Sequence, residues 1–543
     1  MNESDLRGHA EAWLAEDPDP ETRAELRALL DGDDMGAVAA RFDGRLEFGT
    51  AGLRGPLGAG SNRMNRAVVI RAAAGLATYV RAHGGGSVVI GYDARHKSAE
   101  FARDTAAVMR GAGLDAYLLP RRLPTPVLAF AIRRLRCAAG VMVTASHNPA
   151  RDNGYKVYLG DGSQIVPPAD LAISAAIGAV DALADVPMGE DWTVLDDSIV
   201  EGYVAAVAGI LPPGPRELSM VYTPLHGVGR DLVHAVLHRA NFAPPRAVPA
   251  QERPDPDFPT TAFPNPEEPG ALDLALALAA RHSADIVVAN DPDADRCAVA
   301  VPGPHGWRML RGDEVGALLA DHLLRRGRPG VYAASIVSST LLSRMAAGCD
   351  VPYVETLTGF KWIGRVPDLA FGYEEALGYC VAPSLVRDKD GISALLMVAE
   401  IAAGLRSQGR TLLDRLDDIA RTYGLHATDQ LAVRVEDLAQ IGVAMARLRT
   451  HPPGQLGGLA VEEVEDLSAG VGGIPPTDGI RLRLADGARV VVRPSGTEPK
   501  LKCYFEVVIA VHSGDVDAAR IGAAGRLDAI RHDLARAAGL PAA

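Results

Sequence analysis

The segment SVVIGYDARHKSAEFARDTAAVMRGAG, residues 87–113, carries the reading that decides the fold. Its first six residues, SVVIGY, form an apolar run of strand length. From Ser98 the chain turns Ala-rich with interspersed charges and closes on Gly113, the composition of a helix. The same rhythm returns along the chain. AAGVMVTA (138–145) reads as a strand, and LSMVYT (218–223), ADIVVAN (284–290) and GVYAAS (330–335) read as strands each followed by a helical segment. Repeated β-then-α units imply α/β domains built on buried sheets.

Working outward, residues 5–41 read as helix, interrupted at Pro18 and Pro20. After about residue 430 the style changes. LAVRVEDL, IRLRLADG and ARVVVRPSG alternate apolar and charged residues, which predicts an antiparallel sheet with one wet face. GRLDAIRHDLARAAG (525–539) predicts an amphipathic helix packed on that sheet. At roughly 100–200 residues per domain, 543 residues predict three to five domains. Turn-rich breaks at LPPGPRE (211–217) and RRGRPG (325–330) suggest four: 1–211, 212–326, 327–428 and 429–543.

Composition narrows the function classes. Apolar residues make 48% and charged residues 23%, as in an ordinary globular protein. Lys and Arg total 55 against 68 Asp and Glu, a net charge of −13, which argues against nucleic acid or an anionic membrane as partner. No apolar run approaches the length of a membrane span, and the opening MNESDLRGHAEAW lacks the character of a secretory signal. Five scattered cysteines with no CxxC pair suit a reducing cytoplasm rather than a zinc ribbon or disulfide scaffold. Only six residues are lysine: Lys97, Lys156, Lys361, Lys389, Lys500 and Lys502. Where arginine is used so widely, a retained lysine points to a place that needs a compact, titratable ammonium.

Five segments could carry chemistry. In TASHNPARDNGYKVY (144–158), Ser146 lies just past a strand's carboxyl end, with His147 and Lys156 close in sequence. The competing reading is a turn in which Ser146 and Asn148 bond backbone. In ADIVVANDPDADRCA (284–298), Asp291, Asp293 and Asp295 alternate, so an extended loop would point all three carboxylates one way. Three like charges call for a cation, and hard oxygens select Mg²⁺. An EF-hand fails, because Arg296 stands where glycine is needed and Pro302 where glutamate is needed. Three carboxylates leave room for water or a phosphate oxygen, which points to phosphoryl chemistry. VVRPSGTEPKLKCYFE (491–506) offers Arg493, Ser495, Gly496 and Thr497, a set able to wrap a phosphate, unless it is simply a solvated hairpin turn. LEFGTAGLRGPLGAG (46–60) is Gly-rich around Arg54. TLTGFKWIG (356–364), GYEEALGY (372–379) and RDKDG (387–391) hold Lys361, Glu374, Glu375 and Lys389, which could meet sugar hydroxyls or phosphate, although residue chemistry alone favours Glu374 and Glu375 as the start of a helix. There is no Walker A, and Gly227-Val228-Gly229 lacks a third glycine, so nucleotide binding is not expected.

Together TASHNP (144–149), DPDADR (291–296) and RPSGTEPK (493–500) resemble the α-D-phosphohexomutase family, the phosphoglucomutases and phosphomannomutases, in order and over most of the chain. The resemblance implies three α/β domains with mixed sheets and a smaller C-terminal α+β domain, in a heart-shaped arrangement. It implies a phosphosugar mutase that interconverts sugar 1- and 6-phosphates of glucose or mannose, as a monomer or homodimer. Ser146 is then the phosphoryl carrier and, with Asp291, Asp293 and Asp295, a ligand of Mg²⁺. Arg54, His147, Lys156 and Lys389 are expected at the reacting groups, and a bisphosphorylated sugar is the intermediate and activator. Arg296, Thr358, Gly359, Lys361, Glu374 and Glu375 are expected to read the sugar, and Arg493, Ser495, Gly496 and Thr497 its non-reacting phosphate. The family's sugar loop often reads Glu-x-Ser, whereas this chain has Ala376, and Gly378 stands where some members have histidine. GYEEALGY and TGFKWIG look most like the branch with phosphopentomutases and glucose-1,6-bisphosphate synthases, which are the alternative activities.

Overall fold

Ser87–Tyr92 is a strand and Ser98–Gly111 the helix after it, in a computed structural model that describes residues 3–49, 52–434, 439–495, 500–511 and 514–540. The chain divides into two units, Met1–Leu310 with Gly378–Ser407, and Arg311–Leu377 with Gln408–Ala543.

The first unit holds two mixed sheets. In the larger, Ser87–Tyr92 lies between the parallel neighbours Asp115–Leu118 and Ala139–Val143. Asp152–Leu159 then runs antiparallel to Ala139–Val143, and Leu53–Pro56 antiparallel to Asp152–Leu159. Phe101, Ala102, Val108 and Met109 of the helix share one core with Val69, Ala73 and Leu76 of the helix Arg66–Ala82 and with the strand residues Val88, Ile90 and Val141. The second sheet pairs Met220–Thr223 in parallel with Ile286–Ala289, which is followed by the antiparallel strands Ala298–Gly303 and Gly306–Met309. ADIVVAN is therefore followed by a strand, not by the helix its rhythm predicts. A parallel crossover needs about a dozen residues or more, and the loop after Ala289 is shorter than that. The expected N-terminal helix is three helices, Glu3–Glu16, Pro20–Asp31 and Met35–Phe42, with a small core of Leu6, Ala10, Leu26, Val38 and Phe42. Asp19 caps the second of these by accepting from Glu21 N, with Pro20 in the first turn, where its missing N–H costs nothing.

The second unit carries the parallel strands Tyr353–Thr356, Val331–Ser335 and Leu369–Glu374, in that spatial order. It also carries a six-stranded antiparallel sheet that includes Leu425–Arg434, Lys500–Ile509, Arg489–Pro494 and Ile480–Leu484. The helix Val516–Ala538 lays Ala523, Leu527, Ile530 and Leu534 on the apolar face made by Leu482, Val490, Val492 and Phe505. The other face departs from the wet surface expected of it. Val491 and Tyr504 pack with Ile336, Val337 and Leu357, and Arg481, Arg489 and Glu506 are buried in ion pairs. Alternation shows two faces; it does not show that one is open to water.

Candidate active site

The strand Ala139–Val143 delivers Thr144, Ala145 and Ser146 past its carboxyl end. Ser146 is buried and held at φ +53°, a left-handed conformation that only surrounding structure sustains in a serine. Its N–H donates to Thr144 Oγ1 at 2.9 Å. Its hydroxyl donates to Asp291 Oδ2 at 2.8 Å and lies 3.2 Å from His147 Nδ1.

Asp291, Asp293 and Asp295 are all fully buried and converge within 4.8 Å. The cause is a turn and not an extended loop. Ala294 takes a positive φ and donates to Asp291 O at 2.9 Å, while Asp291 Oδ1 accepts from Arg296 N at 3.0 Å. Gly227 makes room for this turn: a Cβ there would stand 2.3 Å from Pro292 Cα. The GVG triplet thus serves close packing against that turn.

Four cationic side chains surround the acids. Lys156 Nζ donates to Asp293 Oδ2 at 2.8 Å and Asp295 Oδ2 at 3.1 Å. Lys389 Nζ lies 3.1 Å from Asp295 Oδ2, and Arg296 Nε 3.9 Å from Asp291 Oδ2. Arg54 donates to Asn148 Oδ1 at 3.2 Å. Burial drives the arginine's pKa down against the pull of Asp293. Burial, then Asp293 and Asp295, pushes the Asp291 carboxyl well above its usual value. Burial also opposes charge on Asp295, but Lys156, Lys389 and Arg296 outweigh it and hold that carboxyl low. His147 is pushed well below the usual imidazole value by burial and then by Arg296 and Arg54.

The donor set fits a hard divalent cation. Within the triad the lysines take only Oδ2 atoms, and Oδ1 of both Asp293 and Asp295 is buried without a hydrogen-bond partner. Buried acceptors left in that state are costly, and a bound cation satisfies them.

Lys389 reaches the site on a segment the sequence places far away. Asp388 accepts from Tyr158 OH at 2.7 Å, Gln164 Nε2 at 2.8 Å and Lys389 N at 2.8 Å. Asp390 caps the helix Gly391–Arg406 and accepts from Tyr203 OH at 2.8 Å. Gly391 allows the approach, since a Cβ would fall 2.1 Å from Arg296 O.

The remaining expected residues lie in the second unit. Glu374 Oε1 accepts from Gly359 N at 2.6 Å, and Gly359 has φ +114°. Glu375 Oε2 accepts from Ser335 Oγ at 3.1 Å and Ser338 Oγ at 3.2 Å. Thr358 Oγ1 is buried with no hydrogen-bond partner. Lys361 is in the short helix Phe360–Ile363. Arg493 is on the strand Arg489–Pro494, and Ser495 N donates to Lys500 O at 2.8 Å. Burial and then Glu375 raise the Tyr504 pKa, with Arg493 opposing. Gly496 and Thr497 lie outside the described residues.

Sequence reasoning missed Asp93 and Arg95, which follow the strand Ser87–Tyr92 and grip the Ser146 loop from beneath. Asp93 Oδ2 accepts from Thr144 Oγ1 at 2.6 Å, and Arg95 Nη2 donates to Ser146 O at 2.6 Å. An Asp-x-Arg pair directly beyond a parallel strand was the available signal.

A buried hydroxyl facing an acid triad with orphaned oxygens, ringed by lysine and arginine, defines an α/β protein equipped for phosphoryl transfer. Comparison with known proteins agrees. The chain matches phosphoglucomutase/phosphomannomutase alpha/beta/alpha domain I over residues 45–183, domain II over 201–304, domain III over 311–423 and the C-terminal domain over 431–519. It is 47% identical over 452 residues to a Haemophilus influenzae protein described as a probable phosphomannomutase, covering 82% of this chain and 93% of that one. It is 37% identical over 548 residues to a Schizosaccharomyces pombe protein described as a probable phosphoribomutase, covering 92% and 93%. The crystal structure of a Thermus thermophilus protein superposes with a TM-score of 0.71 at 27% identity, covering 89% of this chain and 99% of that one. The chain belongs to the phosphoglucomutase/phosphomannomutase family. Among the described residues no helix is long and apolar enough to cross a membrane.

Proposed function

We propose that this chain is a phosphosugar mutase that interconverts the 1- and 6-phosphates of glucose or mannose by way of a phosphorylated Ser146. The observation that carries the reading is the Ser146 hydroxyl, buried and 2.8 Å from Asp291 in an acid triad that has carboxylate oxygens to spare. In the first half-reaction the bond from Ser146 Oγ to phosphorus breaks and a bond from a sugar hydroxyl oxygen to phosphorus forms. The hydroxyl proton passes to a base on this chain, with Lys156 and Lys389 as the candidates. The bisphosphorylated sugar then turns end for end and returns its other phosphoryl group to Ser146. A divalent cation held by Asp291, Asp293 and Asp295, Mg²⁺ on this reading, supplies positive charge against the transferring oxygens when bound. Arg54 and Arg296 add fixed positive charge in a dry site, where it acts at low dielectric. Arg493 and Ser495 would hold the phosphate that does not react, with a planar guanidinium suited to a bidentate grip. Glu374 and Glu375 would accept from sugar hydroxyls.

Intact-mass measurement should show one phosphoryl group on wild type after incubation with a sugar bisphosphate and none on Ser146→Ala, which should lose turnover. Full turnover in that variant would defeat the covalent scheme. A pentose reading is favoured by one feature, Ala376 at the serine position of the sugar loop, which removes a hydroxyl from the sugar's reach. Comparing kcat/KM on glucose, mannose and ribose 1-phosphates decides between them: a higher value for ribose establishes the pentomutase.

A further inference from the structure

Arg95 bonds to no side chain assigned above to metal or sugar, yet it is among the most heavily engaged side chains of the first unit. Its Nη1 donates to Pro149 O at 2.8 Å and Asp152 O at 3.1 Å. Its Nη2 donates to Ser146 O and to Asn148 O, both at 2.6 Å. One buried cation therefore gathers three carbonyls of the loop that bears Ser146 and that of Asp152, the first residue of the strand after it. Its own placement is fixed on two further sides. Nε lies 3.5 Å from Asp93 Oδ2, and the guanidinium carbon stands 5.0 Å over the Phe258 ring. Asp93 closes the circuit: it accepts from Ser98 Oγ at 2.8 Å, from Arg95 N at 3.0 Å and from Thr144 Oγ1, which itself accepts from Ser146 N.

This arrangement answers a specific need. A serine at φ +53° is strained, and it persists only where the surroundings over-determine it. Both peptide groups flanking Ser146 Cα are held, the N–H through Thr144 and the carbonyl through Arg95. That fixes the direction in which the hydroxyl leaves the loop toward Asp291. A guanidinium suits the task because its donors are spread over a rigid plane. An ammonium of equal charge concentrates its three donors at one point and cannot span four carbonyls.

We propose that Arg95 is a positioning residue for phosphoryl transfer: it holds the Ser146 backbone in its left-handed conformation and so aims the hydroxyl at the acid triad. The inference rests on Ser146 being the phosphoryl carrier. Arg95 acts on the transfer step and not on sugar-phosphate binding, because its Nη donors face backbone carbonyls and its Nε faces Asp93.

The test compares the purified full-length wild type, Arg95→Lys, Arg95→Ala and Ser146→Ala, with hexose 1-phosphate as substrate and a catalytic amount of hexose bisphosphate. Arg95→Lys should lose about 100-fold in kcat, the scale expected for misplacing a reacting atom by about 1 Å, with KM within about threefold of wild type. Millimolar guanidinium should restore part of the kcat of Arg95→Ala, while methylammonium at the same ionic strength should not. If Arg95→Ala fails to fold, the kcat and KM of Arg95→Lys alone decide. A kcat for Arg95→Lys within about threefold of wild type, or a loss confined to KM, overturns the inference. So does a fall in melting temperature with unchanged kcat per folded molecule. Inactive Ser146→Ala beside active Arg95→Lys defeats this inference alone, whereas active Ser146→Ala removes the carrier reading and this inference with it.

Discussion

Asp293 carries opposing duties on one carboxyl group. Its Oδ2 takes Thr125 Oγ1 at 2.6 Å and Lys156 Nζ at 2.8 Å, while its Oδ1 is buried without a partner. Asp293→Asn keeps the shape and removes the charge. Calorimetric titration with Mg²⁺ should show affinity weakened by roughly tenfold or more, the scale seen when groups around a metal site are altered. Unchanged affinity would place the ion elsewhere. The aspartates were legible in DPDADR because three acids so close in sequence need a cation wherever they fold. Thr125 and Lys156 as their partners were not, since each comes from another strand or helix of the chain and no local pattern marks it.

A single helix start shows how an element can carry a functional group. Asp390 accepts from Ile392 N at 3.0 Å and Ser393 N at 3.1 Å, capping Gly391–Arg406, and Tyr203 OH adds a third hydrogen bond. Lys389, one residue before that cap, is thereby set beside Asp295. Asp390→Ala should destabilise the protein by about 1–2 kcal/mol, the range for a lost N-cap, and lower kcat more than it raises KM. A melting curve and steady-state kinetics read both. An unchanged melting temperature would show that the cap carries no stability, and an unchanged kcat would detach Lys389 from the reaction. The β-then-α rhythm foretold the strands Ser87–Tyr92 and Val331–Ser335 with near-correct bounds, because period and composition are local properties. It misjudged the element after Ile286–Ala289, because whether a chain turns back or crosses over depends on the neighbour awaiting it.

At the scale of the folded molecule, the second unit hangs on buried charge. Glu506 accepts from Arg489 Nε at 2.7 Å, Ser339 Oγ at 2.6 Å and Thr340 N at 2.9 Å, and lies 3.0 Å from His426 Nδ1. These bonds join the antiparallel sheet to the loop after Val331–Ser335 within one unit, and Arg489 also donates to Ser338 O. Burial opposes charge on Glu506, but Arg489 and His426 outweigh it and hold its pKa at about 2, against an ordinary 4.5. A depressed carboxyl stabilises the folded form above its unfolded pKa and loses that contribution as pH falls. The window here runs from about pH 4.5 down to about pH 2, and the loss totals on the order of 3 kcal/mol. Because a chain of several domains need not unfold in one step, hydrogen exchange in the strand Lys500–Ile509 is the suitable probe. Wild type should lose protection between about pH 4.5 and about pH 2, whereas Glu506→Gln, compared at matched pH, should start lower and change less. Parallel pH profiles for the two would remove Glu506 as the titrating group.

By itself the sequence determined that the chain is built from α/β units with an antiparallel C-terminal sheet, and it singled out a serine loop, an acid trio and an arginine turn as the candidates for its chemistry. Those features follow from periodicity, turn chemistry and like-charge repulsion, all of which act over a few residues. Only tertiary structure decided that the aspartates converge through a turn, that Lys156 and Lys389 meet on Asp295, and that Arg95 clasps the loop of Ser146. The turn is local, but its shape is set by what packs on it, and the other two contacts join segments that are remote along the chain. The energy of such a contact depends on packing that brings the groups within hydrogen-bond reach, and a linear pattern carries no record of it.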